Sequence, residues 1–197
     1  RAAPRALVVV LLAAVPRGRP LDWRKIALEG GLPRAVLAAS AEDRRIWFEG
    51  YVDTYVKRDL RDLSQVGDLG AFVRFLKLAS LRTGGLLNLS ELGRDAGVSR
   101  STAERWISIL ETSFLVTRLE PFLESPSRRV IKAPKLYFGD SGLGLFLSGV
   151  RDEEDLGSLP NPGVWLEDLV LTDLLAWRET EAAKPEVFYR RTASNEE

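Results

Sequence analysis

Apolar residues recur at spacings of three and four along most of the chain, which is the period of amphipathic helices. Helices are predicted over residues 21–29 and 69–80. Between them, Ser40 is expected to cap a further helix that carries acidic residues in its first turn. The apolar stripe of that helix comprises Trp47, Phe48, Tyr51, Val52, Tyr55 and Val56. We therefore predict a helical domain over residues 21–85.

The most informative pattern lies in residues 86–119, where two helices with a short turn between them are predicted. Asn88 is expected to cap the first helix, Gly97 to end it in a left-handed conformation, and Ser99 to cap the second helix, which ends near Ser113. The inward positions are predicted to be Leu92, Ala96, Val98, Ala103, Trp106, Ile107, Leu110 and Phe114. Such a pair of helices is a helix-turn-helix.

Two strand-like segments follow at residues 115–119 and 129–138, in the place of a β-wing. We therefore predict a winged helix-turn-helix over residues 86–138. Residues 100–135 contain seven basic and four acidic side chains, a local excess of three. Arginine can bind guanine, and arginine and lysine neutralise phosphates. The residues expected to contact DNA are Arg100, Ser101, Arg105, Arg128, Arg129 and Lys132. Docking to a protein stays the alternative, because Glu104 and Glu111 dilute the basic face.

The C-terminal part predicts an acidic surface linker at residues 151–155, a helix over residues 164–179 and a strand at residues 187–189. The inward positions of the helix are predicted to be Leu166, Leu169, Val170, Leu174 and Trp177. Glu167, in its first turn, is the candidate ligand of a magnesium site, because magnesium binds a few carboxylates together with waters. A surface carboxylate without a function is the alternative.

Composition removes several classes of chemistry. Among 197 residues there is no Cys, His or Met, and 28 basic side chains balance 28 acidic ones. The chain therefore has no disulfide framework, no thiolate or imidazole metal ligands and no Ser-His-Asp triad. A net charge of zero argues against a polycation that coats nucleic acid, although a local basic face remains possible. Any acid–base or metal chemistry must use carboxylates, hydroxyls, lysine or arginine.

The most apolar run, residues 6–15, is too short to span a bilayer as a helix. Arg1 and Arg5 before it give it some likeness to a signal-peptide core, but residues 16–20 form a poor cleavage region. We expect a cytoplasmic protein with no membrane segment. Since the chain begins at Arg1 and contains no Met, we also expect it to be a fragment of a longer protein.

Several short segments have sequences typical of one family. They are residues 30–34, 51–60, 87–92 and 132–138, together with Asp140, Glu167 and residues 189–192. Through them, residues 21–197 resemble the domain of unknown function that follows the ATPase core in predicted AAA-type ATP-binding proteins of bacteria and archaea. Residues 1–20 match no motif of that family.

The resemblance implies an upstream P-loop ATPase as partner, a winged helix, and a truncated restriction-endonuclease-like α/β piece over residues 139–197. A P-loop requires a Gly-Lys pair, which this chain lacks. No cofactor is therefore expected here, while ATP and Mg are expected in the full-length protein. Glu167 is the metal ligand that carries over from the nuclease-like part, whose later acidic motifs are absent.

The sequence thus predicts an α+β fold, mostly α. It favours an accessory module of an AAA-type ATPase that contacts DNA through its winged helix and is able to form an oligomer. One alternative is a Mg-dependent nuclease-like enzyme completed by residues beyond 197. The other is a protein-docking module with no role at DNA, in which Tyr51, Tyr55 and Arg58 face the ATPase core. For Arg58, a solvated helix end is the simpler interpretation.

Overall fold

The computed structural model of the chain describes residues 22–59, 68–122 and 133–190, without the side chains of residues 56–59. Its α-helices are α1 Trp23–Glu29, α2 Pro33–Val36, α3 Ala41–Tyr51, α4 Leu69–Ser80, α5 Leu89–Ala96, α6 Arg100–Thr112, α7 Ser141–Ser148, α8 Glu153–Gly157 and α9 Gly163–Thr180. Strands β1 Val116–Leu119 and β2 Lys135–Phe138 form one small antiparallel sheet. The predicted class, α+β and mostly α, is confirmed.

Short polar side chains fix the helix starts, as the sequence predicts. The Ser40 hydroxyl accepts a hydrogen bond from the third residue after it, and Asn88 and Ser99 make the same contact at α5 and α6. Gly97 ends α5 with a φ of +79°, a conformation that glycine adopts without steric cost. These local bonds satisfy backbone N–H groups that have no partner inside the helix.

The helix that begins after Ser40 changes its winding at Val52. Here α3 passes into a π-helix, Val52–Asp59. The predicted apolar stripe is present, since Phe48 and Val52 are buried and Trp47, Tyr51 and Tyr55 pack against the main core. The side chain of Val56 lies outside the described residues.

Aromatic rings hold the centre of the main core. Phe72 and Phe75 of α4 each meet Trp106 of α6 edge to face, with ring centroids 5.2 Å apart. The same core includes Leu92 from α5, and it continues through β1 and β2 to Leu143 of α7. The helical, helix-turn-helix and C-terminal parts that the sequence distinguishes therefore pack around a shared core.

Two smaller clusters lie on the other sides of α7 and α9. One joins α1 to the ends of α7 and α8 and to Trp165 of α9. The other places Leu119 and Tyr137 of the sheet against Leu171 and Leu175 of α9. The long helix α9 is thus fixed along one side by the sheet and by α1.

Phe114 is not inward, contrary to the sequence prediction. It is 52% exposed and has a φ of +60°. The chain leaves α6 in this left-handed conformation to enter β1, so the helical period no longer sets the direction of the side chain. The backbone is also tight here, because a Cβ on Gly139 would collide with the Phe114 carbonyl oxygen.

The interpretation of residues 151–155 as a surface linker is also wrong in part. Asp152 accepts hydrogen bonds from two backbone N–H groups and caps the short helix α8. Leu156 of α8 is fully buried. Four acidic residues in a row suggested a solvated loop, but they form the start of a helix, where negative charge is favourable.

The face of α9 that contacts the protein is nearly opposite to the predicted one. Of the predicted inward positions only Leu169 is buried, and the other four are 41–51% exposed: Leu166, Val170, Leu174 and Trp177. The buried side comprises Trp165, Asp168, Leu169, Leu171, Thr172, Leu175 and Ala176. Because both sides of this helix are apolar, its period does not indicate which side packs.

Within the described ranges, no helix has both the length and the apolar content required to cross a membrane.

The two tryptophans Trp106 and Trp177 test this arrangement. We expect Trp106→Ala to lower the free energy of unfolding by about 3–5 kcal/mol, because it removes the buried ring that meets two phenylalanines. Trp177→Ala, at a position 47% exposed, is expected to cost less than about 1 kcal/mol. Urea unfolding of both variants measures the difference, and equal losses would contradict the orientation of α9.

Candidate functional site

Two of the segments that suggested a family, residues 30–34 and Asp140, meet just beyond the C-terminal end of β2. Asp140, two residues beyond β2, is buried and caps α7, where its Oδ1 accepts a hydrogen bond from Leu143 N at 2.8 Å. Its Oδ2 accepts from Gly31 N at 2.6 Å and from Leu32 N at 3.0 Å. A Cβ on Gly30, whose φ is +68°, would lie 2.5 Å from Asp140 Oδ1, so this position requires glycine. Asp140 therefore joins the turn after α1 to the start of α7.

Asp168 is a second buried carboxyl at the same end of β2. Its Oδ1 accepts a hydrogen bond from Phe138 N at 3.1 Å, and its Oδ2 has no partner among the described residues. Burial raises the pKa of Asp168 well above its usual range, and the charge of Asp140 adds to that shift. Burial also raises the pKa of Asp140, but four backbone N–H groups oppose it there. Burial therefore favours the neutral acid more strongly at Asp168 than at Asp140.

Glu167, the predicted metal ligand, contacts a buried lysine. Its Oε1 accepts hydrogen bonds from Lys135 Nζ at 3.2 Å and from the Tyr137 hydroxyl at 2.6 Å. The Lys135 side chain is only 4% exposed, and its ammonium lies 5.6 Å from the ring centroid of Tyr189. A buried ammonium without a counter-ion is strongly destabilising. In this geometry Glu167 has a structural role, as the counter-ion of Lys135.

No group of three or more acidic side chains that could hold a metal ion occurs in the part of the chain that the structure describes. Glu167 is the predicted metal ligand, and its Oε1 is already hydrogen-bonded to Lys135 and Tyr137. Its role as a magnesium ligand stays a prediction that depends on residues outside these ranges.

The second region of interest is the exposed side of α6. Arg100, Ser101, Glu104 and Arg105 are all exposed on the N-terminal half of this helix. The Ser99 hydroxyl, which caps α6, lies 2.9 Å from the Ser101 hydroxyl. The structure thus places three of the predicted DNA contacts on one exposed half-helix. The other three, Arg128, Arg129 and Lys132, lie outside the described residues.

Ion pairs distinguish the arginines near this surface from one another. Arg82 is bound to Asp95, and Arg118 is bound to Glu111, which raises the pKa of Arg118. The structure shows no acceptor for the guanidinium of Arg100 or Arg105 among the residues it describes. Arg100 and Arg105 are therefore available to a phosphate or a base edge.

The predicted docking residues form part of an aromatic row. Trp47, Tyr51 and Tyr55 lie one turn apart, with stacked rings and centroid separations of 5.2 Å at both steps. Burial raises the pKa of Tyr51, with smaller contributions from Tyr55 and Asp140. The side chain of Arg58 is not among those described, so its place beside this row stays a prediction.

Sequence analysis missed the roles of Lys135, Tyr137 and Asp168. Lys135 was counted only as a basic residue of the wing, although alternation along a strand would have placed Lys135 and Tyr137 on one face. Asp168 shares a side of α9 with Trp165 and Thr172, but the sequence carries no signal that this side packs, because the opposite side of the helix is apolar as well.

Asp168→Asn tests the neutral state of the buried carboxyl. A raised pKa means that the folded chain keeps a proton that the unfolded chain loses above about pH 4. The stability that Asp168 contributes is therefore complete below that pH and falls as pH rises toward the folded pKa. Because asparagine mimics the neutral acid, we expect the variant to gain stability relative to the parent by up to about 1.4 kcal/mol per pH unit in that window.

The measurement is urea unfolding of both proteins from about pH 5 to about pH 8. Parallel stability curves would show that Asp168 titrates alike in the folded and unfolded states. Asp152→Asn, which alters an exposed carboxylate that caps α8, is the control and is expected to leave this pH dependence unchanged.

A double-mutant cycle on Glu167 and Lys135 tests the ion pair. We expect Glu167→Gln to cost about 1–2 kcal/mol of stability, less than a fully buried pair because Glu167 is 43% exposed. Lys135→Met removes the buried charge, so the double variant should lose less than the sum of the single variants. If the two single variants lose unfolding free energy additively in urea unfolding, Glu167 does not act as the counter-ion of Lys135.

The comparisons with known proteins give relatives without a described function. Two uncharacterized proteins, Mb2031c of Mycobacterium bovis and Rv2008c of Mycobacterium tuberculosis, are each 31% identical to this chain over 173 residues. The match covers 88% of this chain but 38% of each relative, so the chain spans well under half the length of these proteins. No solved structure matches the chain.

A family profile matches residues 20–154, which include α1 to α7 and both strands. Asp140, with its bonds to the turn after α1, lies inside the matched range, while Glu167 and Asp168 lie beyond it. The description of that family names no activity, ligand or partner. By this match the chain belongs to the family of the domain of unknown function DUF8612.

Proposed function

We propose that this chain is an accessory module of a larger AAA-type ATPase and that it contacts duplex DNA through a winged helix-turn-helix over residues 86–138. The observation that carries the proposal is the exposed N-terminal half of α6, where Arg100 and Arg105 stand without an acid partner among the described residues. The ATPase part of the proposal rests on the resemblance of the sequence motifs.

The geometry of α5 and α6 supports DNA as the partner. Three residues join the two helices, and α6 presents its N-terminal half to solvent while Trp106 and Ile107 fix the opposite side in the core. In helix-turn-helix proteins, the N-terminal residues of the second helix contact base edges in the major groove. The antiparallel strands β1 and β2 follow α6 directly, in the position of a wing.

The chemistry of the exposed residues agrees with that role. Arginine binds guanine through two hydrogen bonds, while serine hydroxyls and the start of a helix bind phosphate. Glu104, between the two arginines in sequence, repels phosphate and accepts from cytosine N4. The proposed arrangement is therefore one of selective base contact, with phosphate binding by the wing.

A docking role with no part at DNA is the second candidate, and the aromatic row of Trp47, Tyr51 and Tyr55 favours it. Aromatic side chains are enriched in protein interfaces, and π-helical turns such as the one at Val52 occur frequently at functional sites. In this candidate the row contacts the ATPase core. The nuclease-like interpretation of residues 139–197 has weaker support, because Glu167 is bonded to Lys135.

Duplex binding measured against salt tests the DNA proposal. We expect the fluorescence anisotropy of a labelled duplex to rise with the 197-residue chain at about 50 mM salt, and the affinity to fall steeply by about 200 mM. Arg100→Ala/Arg105→Ala should weaken binding at low salt and reduce the slope of log affinity against log salt by about one to two units.

The matched control is Arg45→Ala, which removes an exposed arginine of α3 that is paired with Glu42 and Glu49. This control should bind as the parent chain does. Absence of binding by the parent at low salt, or an equal loss in the control and the α6 variant, would show that α6 is not the DNA contact and would leave protein docking as the function.

A further inference from the structure

A cleft of about 620 Å³ lies between α1, α3, α7 and the turn that follows α7. This volume falls within the range of sites that bind small organic ligands, which are lined by apolar side chains and a few well-placed polar groups. The cleft shares no lining residue with the exposed side of α6. Binding of a ligand here is therefore independent of DNA binding.

Aromatic and aliphatic side chains form the apolar part of the cleft. Phe48 of α3 and Phe146 of α7 both line it, and their rings stack with centroids 5.6 Å apart. Leu145 and Val150 are buried, while Leu28 and Phe146 are partly buried. A flat ring that enters the cleft can therefore pack against these side chains, as aromatic rings do against one another.

Two arginines supply donors at the polar part of the cleft. The side chain of Arg44 is only 16% exposed, its Nε donates to the Ala35 carbonyl oxygen at 3.1 Å, and its Nη2 lies 3.5 Å from Glu29. Its Nη1 has no partner among the described residues. Arg151 is exposed just beyond α7, and its guanidinium likewise has no acceptor in the ranges that the structure describes. Guanidinium groups bind carboxylates through short, charge-assisted hydrogen bonds.

A second cavity, of about 390 Å³, adjoins the cleft and shows where these arginines lie. Ala41, Arg44 and Arg151 line both cavities, so they lie where the two meet. Asp152 and Glu153 line the second cavity and not the cleft. Because these acids repel a negative charge, an anion held by the two arginines would direct its apolar body into the cleft.

The third cation of the cleft is already paired. Arg45 lies 2.6 Å from Glu42 and 3.5 Å from Glu49. Asp155 accepts a hydrogen bond from the backbone N–H of Arg151, which leaves the guanidinium of Arg151 unengaged by this acid. Of the three arginines that line the cleft, Arg151 is thus the one without an acid partner among the described residues.

We propose that this cleft binds a small aromatic carboxylate. The ring of the ligand packs against Phe48 and Phe146, and its carboxylate accepts hydrogen bonds from Arg44 and Arg151. The guanidinium of Arg44 is held in place before the ligand arrives, which lowers the entropic cost of binding. Recognition requires both parts of the ligand, since the ring supplies apolar contact and the carboxylate supplies the charge.

Naphthoate is the probe that tests the proposal, with the 197-residue chain in isothermal titration calorimetry. We expect saturable binding of one molecule per chain. Naphthylmethanol, which keeps the ring and lacks the charge, should bind at least about ten-fold more weakly. Acetate, which keeps the charge and lacks the ring, should show no measurable binding, because it buries almost no apolar surface.

Variants of the chain locate the site. Arg151→Gln should weaken naphthoate binding about ten-fold or more. Ala41→Glu should do the same by placing a negative charge where the two cavities meet, and an acid is favourable to the helix at this first position of α3. Ala41→Gln, of nearly the same size and without the charge, should change binding less than about three-fold. Both positions are exposed, so circular dichroism is expected to show unchanged folding.

Two controls lie outside the cleft. Arg94→Gln removes an exposed arginine of α5, and Leu174→Ser alters the exposed apolar side of α9. Both should bind naphthoate as the parent chain does.

Four outcomes would overturn the proposal. Absence of saturable naphthoate binding would show that the cleft is not a site for this class of ligand. Equal binding of naphthylmethanol would remove the role of the arginines. Unchanged binding by Arg151→Gln and Ala41→Glu would place the ligand elsewhere, and a loss in Leu174→Ser equal to that in Arg151→Gln would place it on α9.

Discussion

The carboxylate of Asp140 is the contact on which the arrangement of the rest depends. It accepts hydrogen bonds from Gly31 and Leu32, about 109 positions earlier in the chain, and from the first turn of α7. Neither the two-glycine turn nor the start of α7 has another buried acceptor of this kind in the described ranges. One side chain thus sets where α1 and α7 meet, and α9 packs against both.

The buried polar groups around β2 are stable because each has partners that suit its charge. Asp140 is surrounded by N–H donors that favour a negative charge, whereas Asp168 has one donor and is favoured as the neutral acid. Lys135 is buried at the start of β2, and Glu167 supplies its counter-ion from the edge of the solvent. Two adjacent residues of α9 therefore have different partners because they face different sides: Glu167 pairs with Lys135, and Asp168 accepts a hydrogen bond from Phe138 N.

The sequence predicts those parts of the fold that depend on neighbours within a few positions. The caps at Ser40, Asn88 and Ser99 and the glycine that ends α5 follow from side chains that bond their own helix, so they can be read without knowing the fold. The side of α9 that packs, the direction of Phe114 and the burial of Asp168 depend on contacts with distant segments. The spacing of apolar residues alone does not predict these three features, above all in α9, where apolar residues occupy both sides of the helix.

A chain with a net charge of zero can still have surfaces of opposite local charge. Among the residues that the structure describes, no acid pairs with Arg100 or Arg105 of α6, while acidic residues gather on α8 and along α9. Since screening at physiological salt limits interactions to about 8 Å, each surface acts through its own local charge and not through the net charge of the chain. The net charge of zero therefore does not describe the charge that a molecule meets at either surface.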